Sequence, residues 1–513
     1  MNYPDKFLIR LAIFCLIFSL QTDSFCQNWT PLGIAFFDQN EIIADHTSVI
    51  SPDGNTVIIA KAIQDFNQLD LYKESITVYK FNGITNQWVQ RGEVIDPEFL
   101  FAGPPLMSLD MSFDGNAFCI GAYNNANNAS VTGGVKTFVW NNTNWVQKGE
   151  TLINDQAGSG VQDCYGFNVK MSHSGNRIAV SSLCEFVGDD ATGAIRVYDW
   201  MDNKWEQIGG EILSFDQFSN NFGMSIDINS DGTVMAACTQ FTFTFQVFEW
   251  RGGAWMDKGN LYDLFEENLA DGAVVSLSND GNTIAVGAGY ELLSGNLSGY
   301  VKVFDWLNGQ WIQRGGTFKG GATDDAYGSF VNLSSDGNRL AIGAPALLGE
   351  GDEIGYVETY RWDDINATWF QYGSTIIGND EFDNLGEYAP IKNLSFSNFG
   401  DRIAITSYFN EDVNTPIAEV FSVNGITSSV NDFDDIKFDI FPNPTPSFVN
   451  LTFETYKDVH IKVIDLSGNL IISKPFYDVN QLDLNLPNTS GLYRILVHDL
   501  KSGEFGTRSV VRF

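Results

Sequence analysis

The sequence predicts an all-β chain, a seven-bladed β-propeller followed by a small C-terminal β-sandwich, and three observations carry that prediction. First, Trp29, Trp88, Trp145, Trp205, Trp255, Trp311 and Trp369 recur at intervals of 59, 57, 60, 50, 56 and 58 residues. Trp140, Trp200, Trp250, Trp306 and Trp362 each precede one of these by five to seven residues, so all twelve tryptophans mark one element of a repeat. Self-similarity at such a period is the signature of propellers and solenoids. Second, the segments between the markers alternate apolar and polar residues and are joined by Asp-Gly and Asn-Gly, as in antiparallel hairpins. Third, charge divides the chain. Residues 438–513 hold 8 acids and 7 bases, whereas residues 1–437 hold 56 acids against 22 bases, nearly all of the net −35.

Residues 1–26 read as a Sec-type export signal. Lys6 and Arg10 precede an apolar run from Leu11 to Leu20, too short to span a bilayer. No later stretch is long and apolar enough for stable membrane insertion. The propeller occupies residues 28–425. In its sixth unit, YGSFVNLSS from Tyr327 turns at Asp336-Gly337-Asn338 into RLAIGAP, then YVETYRW from Tyr356, then TWFQYGS, which makes four antiparallel strands. Units end on a W-x-Q-x-G strand, such as WVQRG at Trp88. The seventh ends at Gly425 without one, and an orphan strand, NWTPLG, opens the chain after the signal. Pairing the two closes the ring and removes its open edges.

The short turns fall on one face of this ring and the long connections on the other, where a ligand is expected. That ligand is a glycan or a protein. The acidic surface repels phosphate backbones and argues against nucleic acid. In the third unit the hairpin around Ser174-Gly175 sets residue 164 nearly opposite residue 184, which makes Cys164 and Cys184 a candidate disulfide in an oxidising compartment. Cys119 and Cys238 read as small buried residues.

The unit YGSFVNLSSDGNRLAIGAP resembles the FG-GAP repeat of integrin α-chain propellers and of the repeat proteins secreted by Bacteroidetes. Calcium-binding loops of that type carry D-x-D-x-D-G, while these turns carry one aspartate each, as in SNDGN at Ser278. The sequence therefore assigns no metal and no cofactor, with calcium the one ion left open. FPNPTPSFVNLTF from Phe441, HIKVIDLSGNLI from His460 and SGLYRILVHDLKSGEFGTRSVVRF from Ser490 resemble the type A sorting domain of type IX secretion cargo. On that resemblance Pro442, Asn443, Pro444, Gly468, Gly491 and Tyr493 form the sorting motif of residues 438–513. It implies recognition by the type IX secretion machinery, release near the linker 426–437, and delivery to the outer cell surface or the medium.

No catalytic residue is assigned. His46, His173, His460 and His498 have no evident nucleophile or metal partner, and neither G-x-S-x-G nor H-E-x-x-H occurs. Asp189, Asp190, Asp324 and Asp325 read as solvated loop acids. The expectation is a non-catalytic binding or adhesion propeller. A structural part of a surface layer or matrix and a glycan-active propeller enzyme are the alternatives.

Overall fold

The computed structural model describes residues 28–34, 36, 43–64, 72–98, 100–101, 107–123, 133–154, 164–183, 186–187, 190–213, 221–239, 244–260, 262–263, 270–291, 298–321, 325–345, 355–377, 394–406, 418–423, 438–441, 448–465, 470–486, 491–499 and 505–512. Among them every regular element is a strand and none is a helix. Seven antiparallel sheets of four or five strands occupy residues 29–423, and a further sheet lies in residues 438–512. A two-stranded ribbon pairs Phe186–Val187 with Asp190–Ala191.

The fifth sheet shows how a unit is made. Ala270–Leu277 turns through residues 278–282 into Thr283–Glu291, followed by Tyr300–Leu307 and Gln310–Gln313, each paired with the one before. The turn is held by its own side chains. Ser278 Oγ donates to Asp280 Oδ1 at 2.7 Å and accepts the Thr283 N–H, while Asp280 Oδ1 accepts the Asn282 N–H. Gly281 has φ +65°, and a Cβ there would stand 2.6 Å from Val234 of the preceding sheet, so glycine is required twice over. The same arrangement recurs at residues 51–55, 112–116 and 334–338.

Five sheets add a strand that the four-strand unit omits. Leu100–Phe101, Ile212–Leu213, Tyr262–Asp263, Phe318–Lys319 and Ile376–Ile377 each pair with the start of a third strand. The outer strand is too short to cover the whole third strand, and this segment covers the remainder. Two residues carry no alternation to read.

The tryptophans face one another across the third and fourth strands. Trp140 lies opposite Trp145, Trp200 opposite Trp205, Trp250 opposite Trp255, Trp306 opposite Trp311 and Trp362 opposite Trp369. Each pair backs onto the preceding sheet. Trp145 Nε1 donates to Arg91 O, Trp311 Nε1 to Lys258 O and Trp369 Nε1 to Arg314 O, at 2.9 to 3.1 Å. The glycine that ends W-x-Q-x-G fits against the next pair: Gly149 has φ +81°, and a Cβ there would lie 2.7 Å from the Trp200 ring. The motif is an inter-sheet joint.

The first strands Ile43–Ile50, Met107–Met111, Tyr165–Met171, Ser225–Ile228, Ala270–Leu277, Phe330–Leu333 and Leu394–Phe396 pack against one another in chain order, and the last packs against the first. The second residue of each turn continues the circuit through the main chain. Phe113 N–H donates to His173 O, His173 to Ser230 O, Ser230 to Asn279 O, Asn279 to Ser335 O, Ser335 to Asn398 O and Asn398 to Pro52 O. Proline has no N–H, so Asp53 completes the loop by donating to Phe113 O at 3.0 Å. The seventh sheet takes its outer strand from the start of the chain: Trp29–Pro31 pairs with Ala418–Val423, Trp29 opposite Val423. Leu32 O then accepts Trp88 Nε1–H at 2.8 Å, the role that Arg91 O plays for Trp145.

The C-terminal sheet orders Phe438–Phe441, Phe448–Asp465, Gly491–Asp499 and Phe505–Arg512, with Leu470–Asn485 also paired to Phe448–Asp465. Among the described residues this segment forms five strands, two of them 18 and 16 residues long. Register shifts between Thr452 and Lys457 and between Lys457 and Val459 interrupt the longer one, so its halves read as separate strands. Val449, Leu451 and Phe453 from one half share a core with Val459, Ile461 and Val463 from the other.

Candidate functional site

Each first strand pairs along one edge only, which leaves N–H groups in the middle of the ring that need acceptors. The preceding sheet supplies them. Asp110 Oδ2 accepts the Met171 N–H, Asp227 Oδ2 the Leu277 N–H and Ser395 Oγ the Ile50 N–H, each at 2.8 Å. Ser276 Oγ caps Leu333 and Asn332 Oδ1 caps Phe396 in the same way. These residues all stand two places before the turn. Lys170 holds that place in the third sheet and, lacking an acceptor, donates to Asp227 Oδ1 at 2.9 Å. Its side chain is only 4% exposed, so the ammonium is fixed between sheets by a carboxylate that itself caps the next strand.

A second ring of contacts joins each sheet to the next turn through one cation. Lys148 Nζ donates to Gly175 O at 2.6 Å and Asn176 Oδ1 at 2.8 Å while lying 4.9 Å from the Trp200 ring centre. Arg91, Lys258 and Arg314 repeat this from the same place, three residues after the marker tryptophan. In the third, sixth and seventh sheets that place holds Ile208, Tyr372 and Leu32, and the cation comes from the start of the second strand. There Arg177 donates to Gly232 O, Arg339 to Phe399 O and Arg402 to Gly54 O. Burial lowers the Lys148 ammonium to about 8, against which the two oxygen acceptors and the indole face hold its charge.

The long-loop face is only partly described. Asp189, Asp324 and the loops 124–132, 214–220 and 346–354 lie outside the described residues, and Asp190 sits in the two-stranded ribbon. Asp325 is no solvated acid: it is 6% exposed and accepts Tyr356 Oη–H at 3.0 Å. Burial held it out of solvent where loop composition suggested exposure. Beside it, Glu358 Oε2 accepts hydroxyl donors from Tyr327 at 3.0 Å and Tyr360 at 2.6 Å, and burial together with these carboxylates pushes all three tyrosines upward. Asp53, Asp114, Asp280 and Asp336 serve their own turns. No group of three metal-ligating side chains occurs among the described residues. His173 packs its ring 5.3 Å from that of Phe113.

Of the remaining assigned residues, Cys164 is disulfide-bonded, and Cys184 lies outside the described residues. Cys119 and Cys238 are free and buried. Pro442, Asn443, Pro444 and Gly468 also lie outside them. Gly491 and Tyr493 open the strand Gly491–Asp499, where Tyr493 is buried in the core opposite Asp465 and Val510.

This C-terminal sheet decides one question of kinship. Residues 439–510 match the secretion system C-terminal sorting domain. No curated protein matches the chain. Among solved structures, the β-propeller domain of Myceliophteria thermophila Cps50 (Swd1) is similar at 9% identity over 77% of this chain and 100% of that one, with TM-score 0.45. The β-propeller domain of the Pyrococcus furiosus trilobed protease gives 12% identity over 78% and 98%, with TM-score 0.42. The periplasmic gluconolactonase of Pseudomonas aeruginosa gives 15% over 64% and 84%, with TM-score 0.43.

Sequence reasoning missed the inner-strand caps and the seam cations. The caps carried a signal, a polar residue two places before the turn in six of the seven units. The cations did not, because they alternate between two places some thirty residues apart.

Proposed function

We propose that the protein is a non-catalytic binding or adhesion ring, exported through the type IX route and displayed at the outer cell surface or released. The match of residues 439–510 to a secretion sorting domain carries this reading. The seven sheets are read as the blades of a closed seven-bladed propeller, and the C-terminal sheet as folded over its single core into two layers. In chemical terms the charged side chains in the middle of the ring favour binding over catalysis. Asp110, Lys170 and Asp227 are spent on neighbouring strands rather than aimed at one reacting atom. The ligand is a glycan or a protein that reaches the long-loop face, and Cys184 is the partner of Cys164. A glycan-array screen of the mature chain, with and without calcium, tests the ligand class. Saturable binding to one glycan family is expected, and a blank array in both conditions removes the glycan in favour of a protein partner.

A further inference from the structure

The loop of main-chain hydrogen bonds through the seven second turn residues closes one end of the ring. At the strand spacing of about 4.8 Å per step, seven steps give a circle of Cα atoms about 11 Å across. Side chains standing on that circle leave a lumen fit for small molecules only. Two of them, Ser230 and Asn398, are buried although they sit on turns at an end of the ring. Phe113 and His173 fill one arc with packed rings. The opposite arc is polar, and Ser230 Oγ there is already spent on Asn279 O at 2.9 Å.

Two groups in that arc lack what burial demands. The side-chain amide nitrogens of Asn279 and Asn398 are buried and have no hydrogen-bond partner among the described residues, and Asn398 as a whole is only 7% exposed. A buried amide left unpaired is costly, and proteins ordinarily fill such places with an acceptor. The two asparagines flank Ser335, two steps apart on the circle. Their Cα atoms are then about 9 Å apart at strand spacing, a gap that one oxygen can bridge between two side-chain amides. The acceptor is neutral, because the residues up to 437 carry 56 acids against 22 bases and repel an anion.

We propose that the turn-face end of the channel is a closed floor holding a neutral oxygen, that of water or of a ligand hydroxyl, between the side-chain amides of Asn279 and Asn398. Any larger ligand then enters from the long-loop face alone. The proposal is independent of what that face recognises.

Leucine is nearly isosteric with asparagine, so the sign of a melting shift is informative. An unsatisfied amide is relieved by Asn398→Leu or Asn279→Leu and the melting temperature rises; an amide that holds an oxygen loses it and the temperature falls. A fall is expected for both, and a rise for both overturns the proposal. A crystal structure of the unaltered mature chain, grown without polyols, serves if the variants do not fold. Compact density within hydrogen-bond distance of both amides identifies water. Density that appears only when xylitol is supplied identifies a ligand hydroxyl. An empty floor in both crystals, or amides turned onto protein atoms, overturns the assignment.

Discussion

Glu74 sits on the third strand of the first sheet, 1% exposed, with neither carboxylate oxygen partnered among the described residues. Burial therefore drives the Glu74 carboxyl well above the usual carboxylate range, with Lys136 acting against it and Asp96 adding to it. A carboxyl whose pKa is higher folded than unfolded keeps its proton longer in the folded state. Its stabilisation is complete below the unfolded value and is lost as pH rises through the folded one. Stability should thus decline with rising pH across that window. Glu74→Gln should flatten the decline and raise stability near neutrality by on the order of 1 kcal/mol. Melting curves from about pH 5 to about pH 8 check this; a substitution that leaves the slope unchanged refutes it.

The smallest element with the largest consequence is the three-residue strand Trp29–Pro31. Trp29 is buried against Tyr372 and Phe396, its Nε1 donates to Thr359 Oγ1 at 2.9 Å, and Leu32 O behind it accepts Trp88. Removing residues 28–33 exposes the edge Ala418–Val423 and deprives both flanking sheets. The loss of one buried tryptophan alone costs about 3–5 kcal/mol, so thermal melting should drop sharply, and an unchanged melt would show that the ring closes without it. This strand was legible because the seventh unit lacked its last strand and the chain began with one. The tryptophan spacing likewise disclosed seven sheets, since each marker is a large side chain at a joint that tolerates little else. What stayed hidden is whatever depends on register between units. The two-residue outer strands have no pattern, Asp325 looks like any loop acid until Tyr356 covers it, and the bulges near Lys457 split one strand into two apparent ones.

At the scale of the whole molecule, a nearly neutral tail follows a strongly acidic ring. A tail that serves export should be dispensable for the ring: truncating residues 438–513 should leave the protein in the periplasm with the ring's melting behaviour intact. Fractionation and surface labelling check this, and continued surface display of the truncated chain counts against the sorting role. The seams of the ring have a bearing on ancestry. Each sheet brings its own cation, whether from after the outer strand or from the start of the second, and fastens it to a turn carbonyl of its neighbour, which every unit has. A stretch of gene encoding one unit, copied in tandem, would arrive with its fastening complete and would need no matching change next door. Lineages can therefore lengthen or shorten such rings one copy at a time.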